Sequence, residues 1–479
     1  MREIVRSAVE TAMNAGATYA DARIVRRGEE SVRVKNGHVE GVEQSTSTGI
    51  GVRVIADGAW GFAASSDLSA DGIVAVAEVA ARVARASARA HAGHIELSPL
   101  EGYQGKWHSG YKRDPFDVPL DEKTELLLDL DDLMKSSKKI TVTEAQTNSF
   151  RTEKYFASSE GADIMQETVE CGALLQATAV GNGEVQTRSF PSSLDGYYAQ
   201  AGWEIMDLLK LEDGARQIGK EAVELLTAPE CPANEDMTVI LEGSQLALQV
   251  HESCGHPIEL DRALGTELSL AGGSFLTPDN VGVQYGSDVV NIVADATVPA
   301  GLGTFAYDDE GVPAQRTEIV TDGIFNGYLT SRETAPVIGQ SSQGSMRADG
   351  WQHTPLIRMT NINLEPGNWT LDEMIEDTNH GILLDNTKSW SIDDQRLNFQ
   401  FSTEVGWLIE DGSITDMVRN PSYQGITPEF WRRCDAVANS DEWRMWGVIN
   451  CGKGDPIQVM HVGHGTSRAR FQNTRVGIR

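Results

Sequence analysis

Apolar residues recur with helical spacing at the start of the chain and with strand-like alternation directly after it. The first helical stripe consists of Ile4, Val5, Ala8, Val9 and Ala12. This spacing predicts an amphipathic helix, and the alternating stretches that follow are divided by Asn36-Gly37 and Asp57-Gly58, which are typical of two-residue hairpin turns. A long Ala/Val-rich segment then predicts a second helix that ends near Arg89. A helix, a run of antiparallel strands and a second helix together indicate an α+β amino-terminal part.

The middle of the chain has an irregular stretch followed by helices and strands. Residues 95–119 show no clear period and are rich in Gly, Pro and aromatic residues, so we expect a long loop. Residues 120–137 have helical spacing, and three alternating stretches separated by turn residues follow over 139–180. Residues 204–228 are helical again. This segment extends the α+β pattern of the amino-terminal part.

Pro229 and Pro232 lie in a polar stretch that is the strongest candidate for a domain boundary. Beyond it a strand, TVILEG, is followed by the helical segment SQLALQVHESCG, for which Ser244 is the predicted N-cap. The remainder consists of short alternating runs punctuated by turn dipeptides, which indicates a mainly β structure. We predict an overall α+β fold, with an amino-terminal α+β domain over 1–228 and a carboxy-terminal, mainly β domain over 229–479.

The charge balance is strongly acidic and disfavours several classes of partner. Lys and Arg number 40 against 70 Asp and Glu, a formal net charge of −30, so nucleic acid and anionic lipid would be repelled. Five cysteines are too few and odd in number for a disulfide framework, which favours a reducing compartment. Neither a signal peptide nor an apolar run of membrane-spanning length is visible. We therefore expect a cytoplasmic protein that binds neither nucleic acid nor membrane.

The clearest chemical motif lies in the helix that follows the first strand of the second domain. His251, Glu252 and His256 form an H-E-x-x-x-H pattern, one residue longer than the H-E-x-x-H pattern of many zinc peptidases. On a regular α-helix five residues advance by about 500°, so the two imidazoles would point about 140° apart and could not share one ion. A π-type turn would bring them onto one face, and Gly255 lowers the strain of such a turn. Pro257 disfavours a regular continuation, so we expect the helix to widen and end near His256.

From the residues alone, the identity of a third ligand stays open among Cys254, Cys451, His461 and His464. Cys254 is so close to both histidines along the chain that joint ligation would be awkward, and we interpret it as a packed thiol. His461 and His464 form a second close pair, which we interpret as part of a polar loop. Without such a ligand, the H-E-x-x-x-H residues could also be ordinary polar groups on a helix face.

Three further motifs accompany this helix: YDDEGVPAQRTEIVTDGIFNGYL, RMTNINLEPG and NCGKGDP. Together they resemble the TldD branch of the TldD/PmbA family of metallopeptidases, over most of residues 236–455. The resemblance implies one zinc ion per subunit, bound by His251, His256 and the Cys451 thiolate, with Glu252 as general base. It implies peptide hydrolysis by metal-activated water without a covalent intermediate.

The same resemblance implies a substrate class and a partner. Members of this family act on short or unfolded peptides rather than on folded proteins, with peptide-natural-product precursors and small antitoxin-like proteins among the implied substrates. They pair with a homologous subunit, TldE/PmbA, that lacks the zinc motif. We therefore expect a homodimer or a heterodimer with such a homologue.

Three consecutive acids, Asp308, Asp309 and Glu310, follow a Gly-rich turn. They suggest a loop for a hard cation but lack the ligand spacing of an EF-hand. We expect them to line the cleft, where they would orient a peptide's amino group or position Arg316.

His353 lies among Gly and aromatic residues and is a candidate for the proton or oxyanion donor opposite the base. Tyr307 is an equal candidate for that role. A loop histidine without any catalytic task is the alternative interpretation.

Two other functions stay open. The chain could be a non-catalytic partner or scaffold subunit of a TldD/TldE-like complex, or a zinc amidase that acts on a non-peptide bond. The presence of all four residues, His251, Glu252, His256 and Cys451, argues against the scaffold, because such a subunit has no physical reason to keep them. Nucleotide-binding and nucleophilic-serine motifs are not found in the sequence.

Overall fold

Two large β-sheets, one in each half of the chain, carry most of the fold. The computed structural model describes residues 1–90, 93–270 and 272–477. The α-helices are α1 (Arg2–Asn14), α2 (Ala70–Ala88), α3 (Leu120–Met134), α4 (Ile205–Leu208), α5 (Leu211–Leu225), α6 (Gly243–Val250), α7 (Leu260–Ala263), α8 (Leu371–Glu376) and α9 (Thr427–Arg432). Short 3-10 helices span Pro115–Asp117, Pro278–Asn280 and Ala335–Ile338. Within the described ranges, no helix combines the length and the apolar character that crossing a bilayer requires.

The strands are numbered in chain order. In the amino-terminal half they are β1 (Tyr19–Lys35), β2 (His38–Ala56), β3 (Ala59–Ser65), β4 (Gln104–His108), β5 (Ile140–Ser158), β6 (Asp163–Gly181), β7 (Glu184–Phe190) and β8 (Tyr197–Ala199). In the carboxy-terminal half they are β9 (Glu235–Leu241), β10 (Ile292–Asp295), β11 (Arg316–Thr321), β12 (Ile324–Phe325), β13 (Met346–Arg347), β14 (Leu356–Ile357), β15 (Ile362–Leu364), β16 (His380–Ile392), β17 (Asn398–Glu410), β18 (Ser413–Val418), β19 (Ser422–Ile426), β20 (Cys434–Val437), β21 (Arg444–Lys453), β22 (Gln458–Thr466) and β23 (Ala469–Val476).

The amino-terminal sheet has the strand order β3-β2-β1-β5-β6-β4, and β7 and β8 also pair with β6. Its first two turns are the predicted hairpins, because Asn36-Gly37 joins β1 to β2 and Asp57-Gly58 joins β2 to β3. All four turn residues have positive φ, as a type I′ turn requires. The apolar stripes of α1 and α2 pack on this sheet. The predicted α+β character is confirmed.

Two predictions for the middle of the chain were wrong. The expected loop over 95–119 contains β4, which pairs in parallel with β6; such a short strand forms because a neighbouring strand edge offers partners, which local sequence does not reveal. The three strands predicted over 139–180 are two strands, β5 and β6, of 19 residues each. Arg151 and Thr152 continue the ladder with β1 instead of forming a turn.

The carboxy-terminal half is mainly β, as predicted, and its larger sheet has the order β16-β9-β23-β19-β17-β18. The predicted boundary between residues 228 and 229 lies between α5 and β9 and stays a prediction. The motif-bearing helix α6 follows β9, and every residue of α6 is buried. Ser244 is not its N-cap, because the helix already starts at Gly243 and the Ser244 hydroxyl donates to the Asp385 carboxylate at 3.2 Å.

Helix α6 is held against the separate hairpin formed by β21 and β22. Leu246, Leu248 and Val250 of the helix belong to the same buried apolar core as Val448 and Val462 of the hairpin. This packing brings two segments that are about 200 residues apart in sequence into contact, and the candidate site lies where they meet.

A buried arginine links the central part of the chain to the carboxy-terminal sheet. Arg188 on β7 contacts the carboxylates of Glu221 at 2.9 Å, Asp385 at 2.7 Å and Glu404 at 3.0 Å. Burial raises the pKa of Glu404 to about 7, although Arg188 opposes this shift. Removal of the guanidinium would leave buried carboxylates without their cation, which is strongly destabilising.

We expect Arg188→Met to lower the free energy of unfolding by about 3–5 kcal/mol, the typical result of breaking a buried ion pair. Urea denaturation followed by tryptophan fluorescence measures the change. The control is Arg216→Met, because Arg216 is exposed and its partner is Glu212 one helical turn away at 3.7 Å. Equal stability of the two variants would contradict the linking role of Arg188.

Candidate metal centre

The predicted widening of the helix is present and brings the two imidazoles together. Residues His251–Gly255 form a π-turn, and the His256 amide donates to the His251 carbonyl at 3.1 Å, across five residues. The ring centroids of His251 and His256 are 4.9 Å apart. At Gly255, an added Cβ would lie 2.2 Å from Sδ of Met359, so the turn requires glycine for close packing. Its φ is not positive, so relief of backbone strain, which the sequence suggested, is not the reason for glycine here.

Cys451 supplies a third donor atom from β21. Its Sγ lies 3.7 Å from Nε2 of His256, and the donor atoms of His251, His256 and Cys451 lie within 4.8 Å of one another, with all three residues buried. The ladder between β21 and β22 is irregular between Val448 and Cys451, so the sulfur lies at a distorted part of the strand. Two imidazole nitrogens and a thiolate are donors that zinc prefers, and three protein ligands leave a position for water or substrate. The residues therefore fit a catalytic zinc ion.

The surroundings favour the ligating forms of these side chains. Burial raises the pKa of the Cys451 thiol, but Arg358 and His256 outweigh burial, so the pKa lies below its ordinary value. Burial lowers the pKa of His251, with Glu252 opposing the shift. A thiolate and a neutral imidazole are the forms that bind a metal.

Glu259 orients His256 from the far side of its ring. Nδ1 of His256 lies 3.1 Å from the Glu259 carboxylate, which also contacts Arg262 at 2.9 Å and Lys453 at 3.3 Å. Burial raises the pKa of Glu259, but Lys453 and His256 hold it well below the ordinary value. The carboxylate accepts the Nδ1 proton, which leaves Nε2 free on the side of Cys451. Carboxylate support of a metal-binding histidine is a recurring arrangement.

His464 performs the corresponding task for His251, and the sequence interpretation of this residue was wrong. His461 and His464 lie on β22 and are buried rather than in a polar loop. Nε2 of His464 lies 2.8 Å from Nδ1 of His251, and Nδ1 of His464 lies 3.2 Å from the Ile362 carbonyl. A carbonyl only accepts, so Nδ1 of His464 carries the proton and its Nε2 is the acceptor. His251 then donates through Nδ1 and keeps Nε2 free for a metal.

Glu252 lies beside the donor cluster and is paired with Arg396, which sequence analysis did not single out. The two side chains form a short ion pair, and both are buried. Burial raises the pKa of Glu252, but Arg396, His251 and His256 bring it below the ordinary value, so the group is a carboxylate at neutral pH. Glu252 and Arg396 line the same cavity of about 540 Å³ as the three donor residues.

The three acids after the Gly-rich turn do not line this cavity, so their expected contact with substrate stays a prediction. They are buried and bonded to the protein itself. Asp309 contacts Lys154 at 2.5 Å, Glu310 contacts Arg53 at 3.3 Å, and Asp308 accepts hydrogen bonds from backbone amides. Because Lys154 and Arg53 belong to the amino-terminal sheet, Asp309 and Glu310 join the two halves of the chain.

The remaining candidates also lie elsewhere. Arg316 contacts Glu365 at 3.2 Å rather than the acids. Nδ1 of His353 bonds to the Asp349 carbonyl at 2.7 Å. Neither His353 nor Tyr307 lines the cavity beside the cluster, so a role as donor opposite the base stays a prediction. Burial raises the pKa of Cys254 to about 12, in agreement with a packed thiol.

Comparison with known proteins finds relatives over nearly the whole chain. Models of PmbA/TldA metallopeptidases match residues 20–84 as domain 1, 113–228 as the central domain and 234–477 as the C-terminal domain. A metalloprotease of Methanocaldococcus jannaschii is 30% identical over 92% of this chain and 94% of its own. A zinc metalloprotease TldD homolog of Saccharolobus solfataricus is 23% identical, over 98% of each chain. The crystal structure of TldE from Thermococcus kodakarensis has the same fold, with a TM-score of 0.77 at 17% identity over 99% of this chain and 100% of that one.

We expect Gly255→Ala to weaken zinc binding by at least about tenfold, the lower end of the effect of disturbing groups that orient metal ligands. The new Cβ would overlap Met359, which is fully buried, so the π-turn would have to shift. Competition with a chelating dye measures the affinity. In the control, Gly110→Ala, an added Cβ meets no atom within 4 Å. Equal zinc affinity of the two variants would show that the turn tolerates a side chain.

Proposed function

The chain belongs to the PmbA/TldD metallopeptidase family, and from this we propose that it is a zinc-dependent peptidase with one ion per subunit. The ligands in this proposal are His251, His256 and Cys451. The observation that carries it is the convergence of these three donors, from a π-turn and a distant strand, at one buried point. A merely structural histidine pair would have no need of a buried thiol 3.7 Å from one of its rings.

Glu252 is the proposed general base. When bound, zinc would polarise a substrate carbonyl and make a water molecule a better nucleophile at neutral pH. Glu252 accepts the proton of the attacking water and then donates it to the nitrogen of the leaving amine. Arg396 occupies one carboxylate oxygen, Oε2, which holds the side chain in place and leaves Oε1 for the proton.

The cavity beside the cluster supports a short or extended peptide as substrate. Its walls combine apolar side chains, among them Leu194, Leu270 and Ile457, with the polar side chains of the site. Apolar walls suit substrate side chains, while the few polar groups set orientation. The donor cluster is buried, so an extended chain that enters the cavity can reach it. The surface of a folded protein cannot reach it as easily. Maturation of a peptide or degradation of a small protein is the kind of reaction that we propose.

We further propose that the protein functions as a dimer, with itself or with a TldE/PmbA-like homologue. The support is its shared fold with TldE. The complete set of three donors and a neighbouring carboxylate favours the catalytic subunit of such a pair over a scaffold.

We expect Glu252→Gln to keep bound zinc and to lose about 10²–10⁴-fold in peptide hydrolysis, the usual contribution of a general base. The variant is nearly isosteric and removes the ability to accept a proton; it also removes the charge that pairs with Arg396, although the amide oxygen can still accept from that guanidinium. Metal analysis of the purified protein and release of a fluorophore from a mixture of short peptides give the two readings. An active Glu252→Gln enzyme would refute the assigned base.

Cys451→Ala tests the metal site separately. Loss of a ligand should weaken zinc binding and hydrolysis together, measured in the same two assays. Cys434→Ala is the control, because Cys434 is also a buried thiol on a strand but lies outside the donor cluster. Full zinc content and activity in Cys451→Ala would contradict the proposed ligand set.

His464→Leu should weaken zinc binding by about 10–100-fold, because such losses are typical when a group that orients a metal-binding histidine is removed. His464→Gln keeps an acceptor oxygen and is expected to retain more of the affinity. Val462→Ala, a packing change on the same strand, is the control. Equal losses in all three variants would indicate a packing effect rather than control of the His251 tautomer.

A further inference from the structure

A second cavity lies between the amino-terminal sheet and the carboxy-terminal half, away from the zinc ligands. It is a space of about 100 Å³, bordered by Arg27 and Lys154 of the sheet and by Leu302, Phe305 and Arg347 of the carboxy-terminal half. None of the three donor residues of the candidate metal centre lines it. Strand β22 contributes His461 here, whereas His464, on the opposite face of the strand, meets His251. The two cavities are therefore separated by the β21–β22 hairpin.

Arg347 is the unusual residue of this cavity. Its guanidinium donates to the backbone carbonyls of Met359 at 2.9 Å and Leu302 at 3.4 Å, and it lies over the ring of Phe305 at 5.7 Å. Burial, reinforced by Arg358, lowers the pKa of Arg347 to about 10, so the group is still a cation at neutral pH. Among the described residues, no carboxylate lies within 4.0 Å of it.

Arg347 is half-buried, and it can be compared with arginines that are fully buried. In the described part of the chain, Arg53, Arg188 and Arg262 each contact a carboxylate at 2.7–2.9 Å. Arg358 also lacks a carboxylate partner, but it donates to the backbone carbonyls of Gln458 and Cys451 and does not line the cavity. A cation partly removed from bulk water without an anion is costly, and in the described part of the chain Arg347 combines that situation with a cavity.

The acids around the cavity do not contact Arg347, and each has another partner. Asp349 contacts Arg27 at 3.2 Å, and Glu170 contacts His461 at 2.5 Å. Asp308 accepts three backbone hydrogen bonds, and burial next to Glu310 raises its pKa to about 8, so it is largely uncharged at neutral pH. Of the three cations that line the cavity, Arg27 contacts Asp349 and Lys154 contacts Asp309, whereas Arg347 has no carboxylate in contact.

We propose that this cavity binds a small organic carboxylate, with Arg347 as its counter-ion. The planar guanidinium offers paired donors that match a carboxylate. Phe305 and Leu302 provide an apolar surface for the body of the ligand, and Trp107 borders the same space. Since the protein has a formal charge of −30, its outer surface repels anions, and a protected cation is needed to hold one. The carboxylate could belong to a free acid or to the end of a short peptide.

Isothermal titration of the full-length protein with phenylacetate tests this proposal. We expect binding of phenylacetate and at least about tenfold weaker binding of 2-phenylethanol, which has a similar body without the charge. Arg347→Met should lose at least about tenfold in phenylacetate affinity, and Arg347→Lys should retain part of it. Arg316→Met, a change at an exposed arginine that borders no part of the cavity, should bind like the parent protein.

Two further measurements keep the test independent of folding defects and of hydrolysis. A crystal of the parent protein soaked in phenylacetate should show the carboxylate against Arg347. A tripeptide with a free carboxy terminus, compared with its amidated form on zinc-free protein, separates the two sources, because preference for the free form identifies a peptide end. Equal binding of phenylacetate and 2-phenylethanol, or unchanged affinity in Arg347→Met, would overturn the proposal without affecting the zinc site.

Discussion

The geometry of one helical turn determines whether this protein has a metal centre at all. Two imidazoles five residues apart diverge on a regular α-helix, and here a π-turn over His251–Gly255 brings their centroids to 4.9 Å. That turn depends on close packing, because Met359 occupies the space that a side chain at Gly255 would need. The distortion is therefore stabilised by the surrounding core, and π-turns of this kind are frequent at functional sites.

The hairpin of β21 and β22 supplies the third donor of the site and two groups that support the histidines. It carries the thiol of Cys451, the ammonium of Lys453 that contacts Glu259, and the imidazole of His464 that contacts His251. Each proposed imidazole ligand thus has its outer nitrogen engaged, one by a carboxylate and one by a neutral histidine. Since helix and hairpin share one apolar core, the packing that stabilises the fold also sets the separation of the ligands.

Local sequence predicts the parts of this arrangement that depend on neighbouring residues. The hairpins at Asn36-Gly37 and Asp57-Gly58 and the widened helix follow from turn chemistry and helical spacing. Strand β4, the pairing of Glu252 with Arg396 and the burial of Asp308–Glu310 depend on segments far away in the chain, which a single sequence does not bring together. For His464 a local signal existed, because alternation along β22 places it on the opposite face from His461, but its partner could not be known.

The central claim is that two imidazoles and one thiolate bind a single zinc ion, and X-ray absorption at the zinc edge of the loaded protein tests it most directly. The account predicts about two nitrogen scatterers from imidazole at about 2.0–2.1 Å and one sulfur at about 2.3 Å. A spectrum without sulfur, or with fewer than two imidazoles around the zinc, would contradict it.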